Sequence, residues 1–146
     1  MLAVGLGHKA IELGYKNIYV SAADLVAKCH KAVISGKWEL FLRSYVNQSL
    51  LIIDELGYLP LGKEGASYLF EIVSRRYLRG SIILTTNQPI SSWGEVVSDT
   101  VLAAALLDRL LHRCTVVNIQ GESYRMRGYR EQSKLLRKAV ANTKSE

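Results

Sequence analysis

The chain has no long apolar run, no paired cysteines and no intact phosphate-binding loop, and each absence argues against a class of function. The longest uncharged apolar stretch, residues 101–107, falls far short of the roughly 18 residues that a membrane-spanning helix needs. No membrane role is therefore expected. The first residues lack the basic start, apolar centre and small-residue cleavage site of a secretory leader. Cys29 and Cys114 stand alone, with no CxxC pair and no histidine at metal-ligand spacing. They read as reduced thiols of a cytoplasmic protein, which argues against a disulfide scaffold or a zinc site. Internal repeats, low-complexity segments and linkers are missing too.

Two glycine patterns imitate nucleotide loops without meeting their conditions. Gly5-Leu6-Gly7-His8-Lys9-Ala10 matches GxGxxA, with Asp24 downstream. A dinucleotide fingerprint must follow a strand, but residues 1–4 are already in helical register and Asp24 lies past the end of the next strand. Residues 57–63 match GxxxxGK, but Glu64 stands where a Mg²⁺-binding Ser or Thr belongs. A carboxylate there would repel phosphate, and Pro60 removes an amide donor from the loop.

What is present reads as one α/β domain. A length of 146 residues suits a single covered sheet, and 49% hydrophobic content argues for a folded globule. Leu2, Leu6, Ala10 and Leu13 recur at helical spacing and predict an amphipathic helix ended by Gly14. Strands are expected at 17–21, 50–54, 81–86 and 115–119. Helices are expected at 22–35, 38–46, 64–78 and 99–112, the last with Asp99 as N-cap. Strands alternate with helices throughout, which is the pattern of a parallel sheet.

The strand Leu50-Leu51-Ile52-Ile53 ends in Asp54-Glu55. Four large aliphatics in a row need cover on both faces, so this is an inner strand. Ligands bind at the carboxyl ends of such strands. Two acids there are the arrangement of a Walker B element, in which the Asp holds Mg²⁺ and the next acid polarises the attacking water. Asn87 ends the strand 81–86 and supports two readings: a polar tip toward water or a γ-phosphate, or the cap of a turn. Arg109, beside Asp108 in an apolar helix, also supports two: an ion pair, or an arginine finger toward a neighbour's nucleotide.

These residues resemble the IstB-like ATPases, the transposition helper proteins of two-gene insertion sequences, which are related to DnaC helicase loaders. The most specific stretches are LLIIDELGYLPLGKEGASYLFEIVSRRYLRGSIILTTNQP, WGEVVSDTVLAAALLDRLLHRC and GESYRMRG. The resemblance runs from about residue 2 to residue 128. It implies an AAA+ type P-loop fold of three layers, with a parallel sheet in the order 5-1-4-3-2. It further implies ATP and Mg²⁺ as ligands, assembly on DNA, a transposase of the same insertion sequence as partner, and homo-oligomers. By position, Asp54 and Glu55 are the Walker B pair and Asp54 the metal ligand. Asn87 is the sensor-1 residue, Arg109 the arginine finger, and Arg125 the sensor-2 residue that binds nucleotide. Family members carry a GxxxxGKT loop directly before the helix that starts here at Leu2. The first strand and P-loop are thus expected to lie outside these residues, and the 146 residues alone to be a very poor ATPase.

The domain organisation expected is a partial core at 1–128 and a basic helical tail at 129–146. Residues 1–124 hold 12 basic against 11 acidic side chains, whereas residues 125–146 hold 7 against 2. Arg127, Arg130, Lys134, Arg137 and Lys138 are the expected nucleic-acid contacts, led by phosphate, with Arg75, Arg76 and Arg79 the next cationic surface. A DnaC-like helicase loader and a non-enzymatic DNA-binding or assembly module are the alternatives.

Overall fold

The computed structural model describes residues 2–121. The chain divides into two units, Met1–Cys114 and Thr115–Glu146, and every helix and strand described belongs to the first. Its elements are α1 (Leu2–Glu12), β1 (Asn17–Ser21), α2 (Ala22–Ile34), α3 (Trp38–Val46), β2 (Leu50–Leu56), α4 (Gly62–Arg76), β3 (Ser81–Thr86), α5 (Trp93–Val97) and α6 (Thr100–Leu111). The strands form one parallel sheet in the order β1-β2-β3.

The central strand is buried on both faces, as its unbroken aliphatic run requires. Leu51 and Ile53 join the main core with Leu25, Leu42, Leu69, Ile72 and Leu106. Leu50 and Ile52 face the other way, onto Ala3 of α1. Helices therefore cover both sides of the sheet, giving three layers. Local signals set the ends: Ser21 closes β1 and caps α2 by accepting the Asp24 N–H at 3.1 Å. Asp99 caps α6 in the same way through the Leu102 N–H at 2.9 Å, both as N-cap chemistry predicts.

Three expectations fail, each for a physical reason. In α1 the leucine stripe is not the packed face: Leu2, Leu6 and Leu13 are exposed, and Ala3 and Gly7 are buried. The helix lies so close to β2 that a Cβ on Gly7 would come within 2.8 Å of Ile52 Cδ1, so small residues make the contact. Residues 115–119 form no strand, and Val116, Val117 and Ile119 are exposed. Their β-branched side chains favour a strand only where a neighbour supplies the ladder. Among the described residues no strand pairs with this segment.

Third, Arg76 is no part of a cationic surface, although Arg75 and Arg79 beside it are exposed. Arg76 is fully buried, and Arg75 is tied to Glu39 and Glu71 at 2.9 and 2.8 Å. The short α5 was not anticipated. The proposed boundary between core and tail at 128/129 lies outside the described residues.

Candidate functional site

Because the three strands are parallel, their carboxyl ends share one edge. Ser21 on β1 stands opposite Asp54 on β2. Between β2 and β3 the register slips. Ile53 pairs with Leu84, the next matched pair is Leu56 with Thr86, and so Asp54 and Glu55 together face Thr85. Two residues opposite one make a β-bulge, which re-aims side chains. Strict alternation would send Glu55 into the main core after Leu51 and Ile53. The extra residue instead gives Leu56 that place, fully buried, and leaves Glu55 exposed at the edge. Glu55 takes a left-handed backbone with φ 61°, a conformation that costs a non-glycine residue about 1–2 kcal/mol.

Asp54 is half-buried, and hydroxyls hold both of its oxygens. The Thr85 hydroxyl donates to Oδ1 and the Tyr19 hydroxyl donates to Oδ2. The same Thr85 oxygen accepts the Glu55 N–H at 3.0 Å. The Thr85 bond, then the Tyr19 bond, holds the Asp54 carboxyl below the usual carboxylate range, so it is ionised at neutral pH. Among the described residues no three His, Cys, Asp or Glu gather to hold a cation by themselves. One fixed carboxylate suits Mg²⁺, which takes one or two protein carboxylates and fills its shell with water and phosphate oxygens.

Asn87 follows Thr86 at the same edge, exposed. The loops leaving β2 and β3 are joined there: Gln88 Nε2 donates to the Gly57 carbonyl at 3.4 Å, and the Gln88 N–H to Thr86 Oγ1 at 3.0 Å. Gly57 has φ 86°, and a Cβ on it would meet Gln88 Cγ at 2.7 Å. The amino end of α1 points to this edge as well. The helix finishes at Glu12, just before β1 begins at Asn17, and Asn17 Nδ2 donates to the Gly7 carbonyl at 2.9 Å. The chain therefore runs down α1 and up β1.

Arg109 is not brought to the acids. Its guanidinium donates to the Ala105 carbonyl at 2.8 Å and lies 4.7 Å over the Phe70 ring. α6 carries it against α4 and α5. Arg125, Arg127, Arg130, Lys134, Arg137 and Lys138 lie outside the described residues. A cleft of about 500 Å³ between α2 and the start of α4, lined by Val26, His30, Lys63 and Tyr68, does not include Asp54 or Glu55. Of the two thiols, Cys29 is buried, which pushes it up to about 12, and Cys114 is exposed.

The sequence reading did not single out Tyr19 or Thr85, which contact Asp54 across 35 and 31 positions of chain. The sequence signal for them is weak: hydroxyl-bearing residues near the ends of the two strands flanking the acids.

The family described as IstB-like ATP binding protein matches residues 1–133. The ATP-binding protein of insertion sequence IS5376 from Geobacillus stearothermophilus is 49% identical over 90% of this chain and 52% of its own length. That of insertion sequence IS21 from Pseudomonas aeruginosa is 44% identical over 89% of this chain and 49% of its own length. The chain thus spans about half the length of the curated relatives it matches. Among solved structures, AMPPCP-bound DnaA from Aquifex aeolicus superposes with a TM-score of 0.65 at 22% identity, covering 80% of this chain and 35% of that one. The DnaC helicase loader superposes at 0.54 and 19% identity, covering 68% and 61%. These likenesses establish that the chain shares its α/β fold with DnaA and the DnaC helicase loader. The chain belongs to the IstB-like ATP-binding protein family.

Proposed function

We propose that these residues form the metal-and-water half of an ATP site in an insertion-sequence helper ATPase that acts with its transposase on DNA. The observation that carries this reading is the Asp54–Glu55 pair at the bulged carboxyl end of the central strand. One acid there is locked in the ionised form and the other is free to face solvent. When bound to nucleotide, Mg²⁺ neutralises charge on the phosphate oxygens. Asp54 would hold that cation, and Glu55 would orient and polarise the attacking water. Asn87, at the tip of the neighbouring strand, hydrogen-bonds the same water or the terminal phosphate. The amino end of α1 supports the reading, because free amides and the helix dipole there favour anionic ligands.

Arg109 acts on a neighbouring subunit's nucleotide rather than its own, consistent with its contacts to the Ala105 carbonyl and the Phe70 ring instead of the acids; Arg125 contacts nucleotide from the segment after residue 121. Arg127, Arg130, Lys134, Arg137 and Lys138 bind DNA phosphates. Relatives at 44–49% identity carry insertion-sequence names, which favours a transposase partner over a replicative helicase.

The test is Mg²⁺-dependent binding of a fluorescent ATP analogue, with the chain extended upstream to the length of its relatives. Asp54→Ala should weaken binding in the presence of Mg²⁺ and leave binding in EDTA unchanged. Equal Mg²⁺ dependence in the two proteins would sink the reading. Co-purification with a replicative helicase in place of the transposase would favour the loader alternative.

A further inference from the structure

The bulge leaves a chemical question that the acid pair alone does not answer: what keeps Glu55 out of the core. An extra residue in a strand has no ladder partner, and the Glu55 N–H would be orphaned at the step where β2 and β3 slip register. The Thr85 hydroxyl receives it at 3.0 Å. A hydroxyl has one proton to give and lone pairs to accept with, and here the proton goes to Asp54 Oδ1. One oxygen atom therefore ties the backbone of one acid to the side chain of the other. It also holds Glu55 in its left-handed conformation, which in turn keeps Leu56 in the buried place that Glu55 would otherwise take.

We propose that Thr85 is the positioning residue of this site: its hydroxyl clamps the Asp54–Glu55 bulge and so fixes the direction in which Glu55 presents its carboxylate. The proposal rests on the reading of Asp54 and Glu55 as the working acids. Thr85 itself touches no reacting atom. Its requirement is narrow, because the group must donate and accept at once from a short stem. Serine meets that requirement, and valine, which has the same shape, does not.

The experiment compares Thr85→Val and Thr85→Ser with the parent by amide hydrogen exchange at Glu55, and by ATP turnover in the chain extended upstream. Thr85→Val should speed Glu55 exchange at least about tenfold while core amides on β1 stay protected. It should lower kcat about tenfold or more with KM for ATP within about threefold, the pattern of a lost transition-state arrangement. Thr85→Ser should restore both. Unchanged Glu55 exchange in Thr85→Val would overturn the clamp, whatever the turnover. Faster exchange with unchanged kcat would also overturn it, since the contact would then be structural only. Turnover that ignores Asp54→Ala as well overturns the reading of the site first, and the proposal with it.

Should Thr85→Val fail to fold, the parent protein still decides. A protected Thr85 hydroxyl proton with a cross-peak to the Glu55 amide is expected, and its absence in a spectrum that resolves the neighbouring amides counts against the clamp.

Discussion

Replacing Arg76 tests how β3, the strand that carries Thr85, is anchored. Arg76 is the last residue of α4 and is fully buried. Its guanidinium donates to four backbone carbonyls, those of Tyr45 at 2.5 Å, Val46 at 3.1 Å, Gln48 at 2.9 Å and Ser81 at 2.8 Å. Two of these close α3 and one opens β3, so a single side chain ties a helix end to the start of a strand. Burial pushes the guanidinium's pKa down, and the carbonyls at the negative end of α3 are what offset the desolvated charge.

Each hydrogen bond to a charged group contributes about 1.5–3 kcal/mol in isolation, but four on one group do not add. Removing one side of a buried charged network costs about 3–5 kcal/mol, which is a large part of a domain stability of about 5–15. Arg76→Met should therefore lower the urea midpoint by roughly 2 M at an m-value near 2 kcal/mol per M. Arg76→Lys, with three donors and no planar fork, should lose about half as much. The assay is equilibrium unfolding followed by tryptophan fluorescence, with both transitions checked for a common m-value. A loss below about 1 kcal/mol for Arg76→Met, the scale of an ordinary surface change, would refute the reasoning.

Three further outcomes are expected. The Asp54 carboxyl is held below its usual range in the folded state, so its contribution to stability is present above the unfolded pKa of about 3.9. That contribution is lost as pH falls through the lower folded value. Asp54→Asn should accordingly be less acid-sensitive between neutral pH and about pH 3 than the parent, and identical acid curves would contradict this. Gly57→Ala should destabilise by about 1–3 kcal/mol, because φ 86° and the 2.7 Å approach to Gln88 both penalise a Cβ; a neutral change in thermal melting would contradict it. DNA binding should be sequence-tolerant and weaken steeply with salt, with a slope of about −0.9 per phosphate contacted. Deleting residues 129–146 should flatten that slope in an anisotropy titration, and an unchanged slope would move the interface elsewhere.

The elements that were legible from the sequence are those whose signal is local. The aliphatic run 50–53 announced a strand covered on both faces. Gly14 marked a stop, and Asp99 marked a start. What could not be read depends on partners far away in the chain. From the sequence the strand ends at Asp54, and only β3 reveals that it runs on to Leu56, with Asp54 and Glu55 sharing a single opposite residue. Arg75-Arg76 reads as two solvated cations at a helix end. Burial of the second depends on carbonyls that α3 and β3 deliver from 28 to 31 positions before it and 5 after it. In α1 the hydrophobic pattern pointed to the leucines, whereas the close approach to Ile52 favours the small residues Ala3 and Gly7, with Ala10 of the stripe partly buried beside them. The segment 115–119 has strand-forming residues but no ladder partner among the described residues.

ATP binding and ATP turnover by Glu55→Gln, in the chain extended upstream to the length of its relatives, decide whether Glu55 is the acid that polarises water. Glutamine keeps the size and hydrogen-bonding reach of the side chain while removing the charge that polarises water. Binding should stay within about threefold, and turnover should fall by about a hundredfold or more, the scale of lost general-base assistance. A Glu55→Gln protein that hydrolyses ATP at the parent rate would show that Glu55 does not polarise the attacking water.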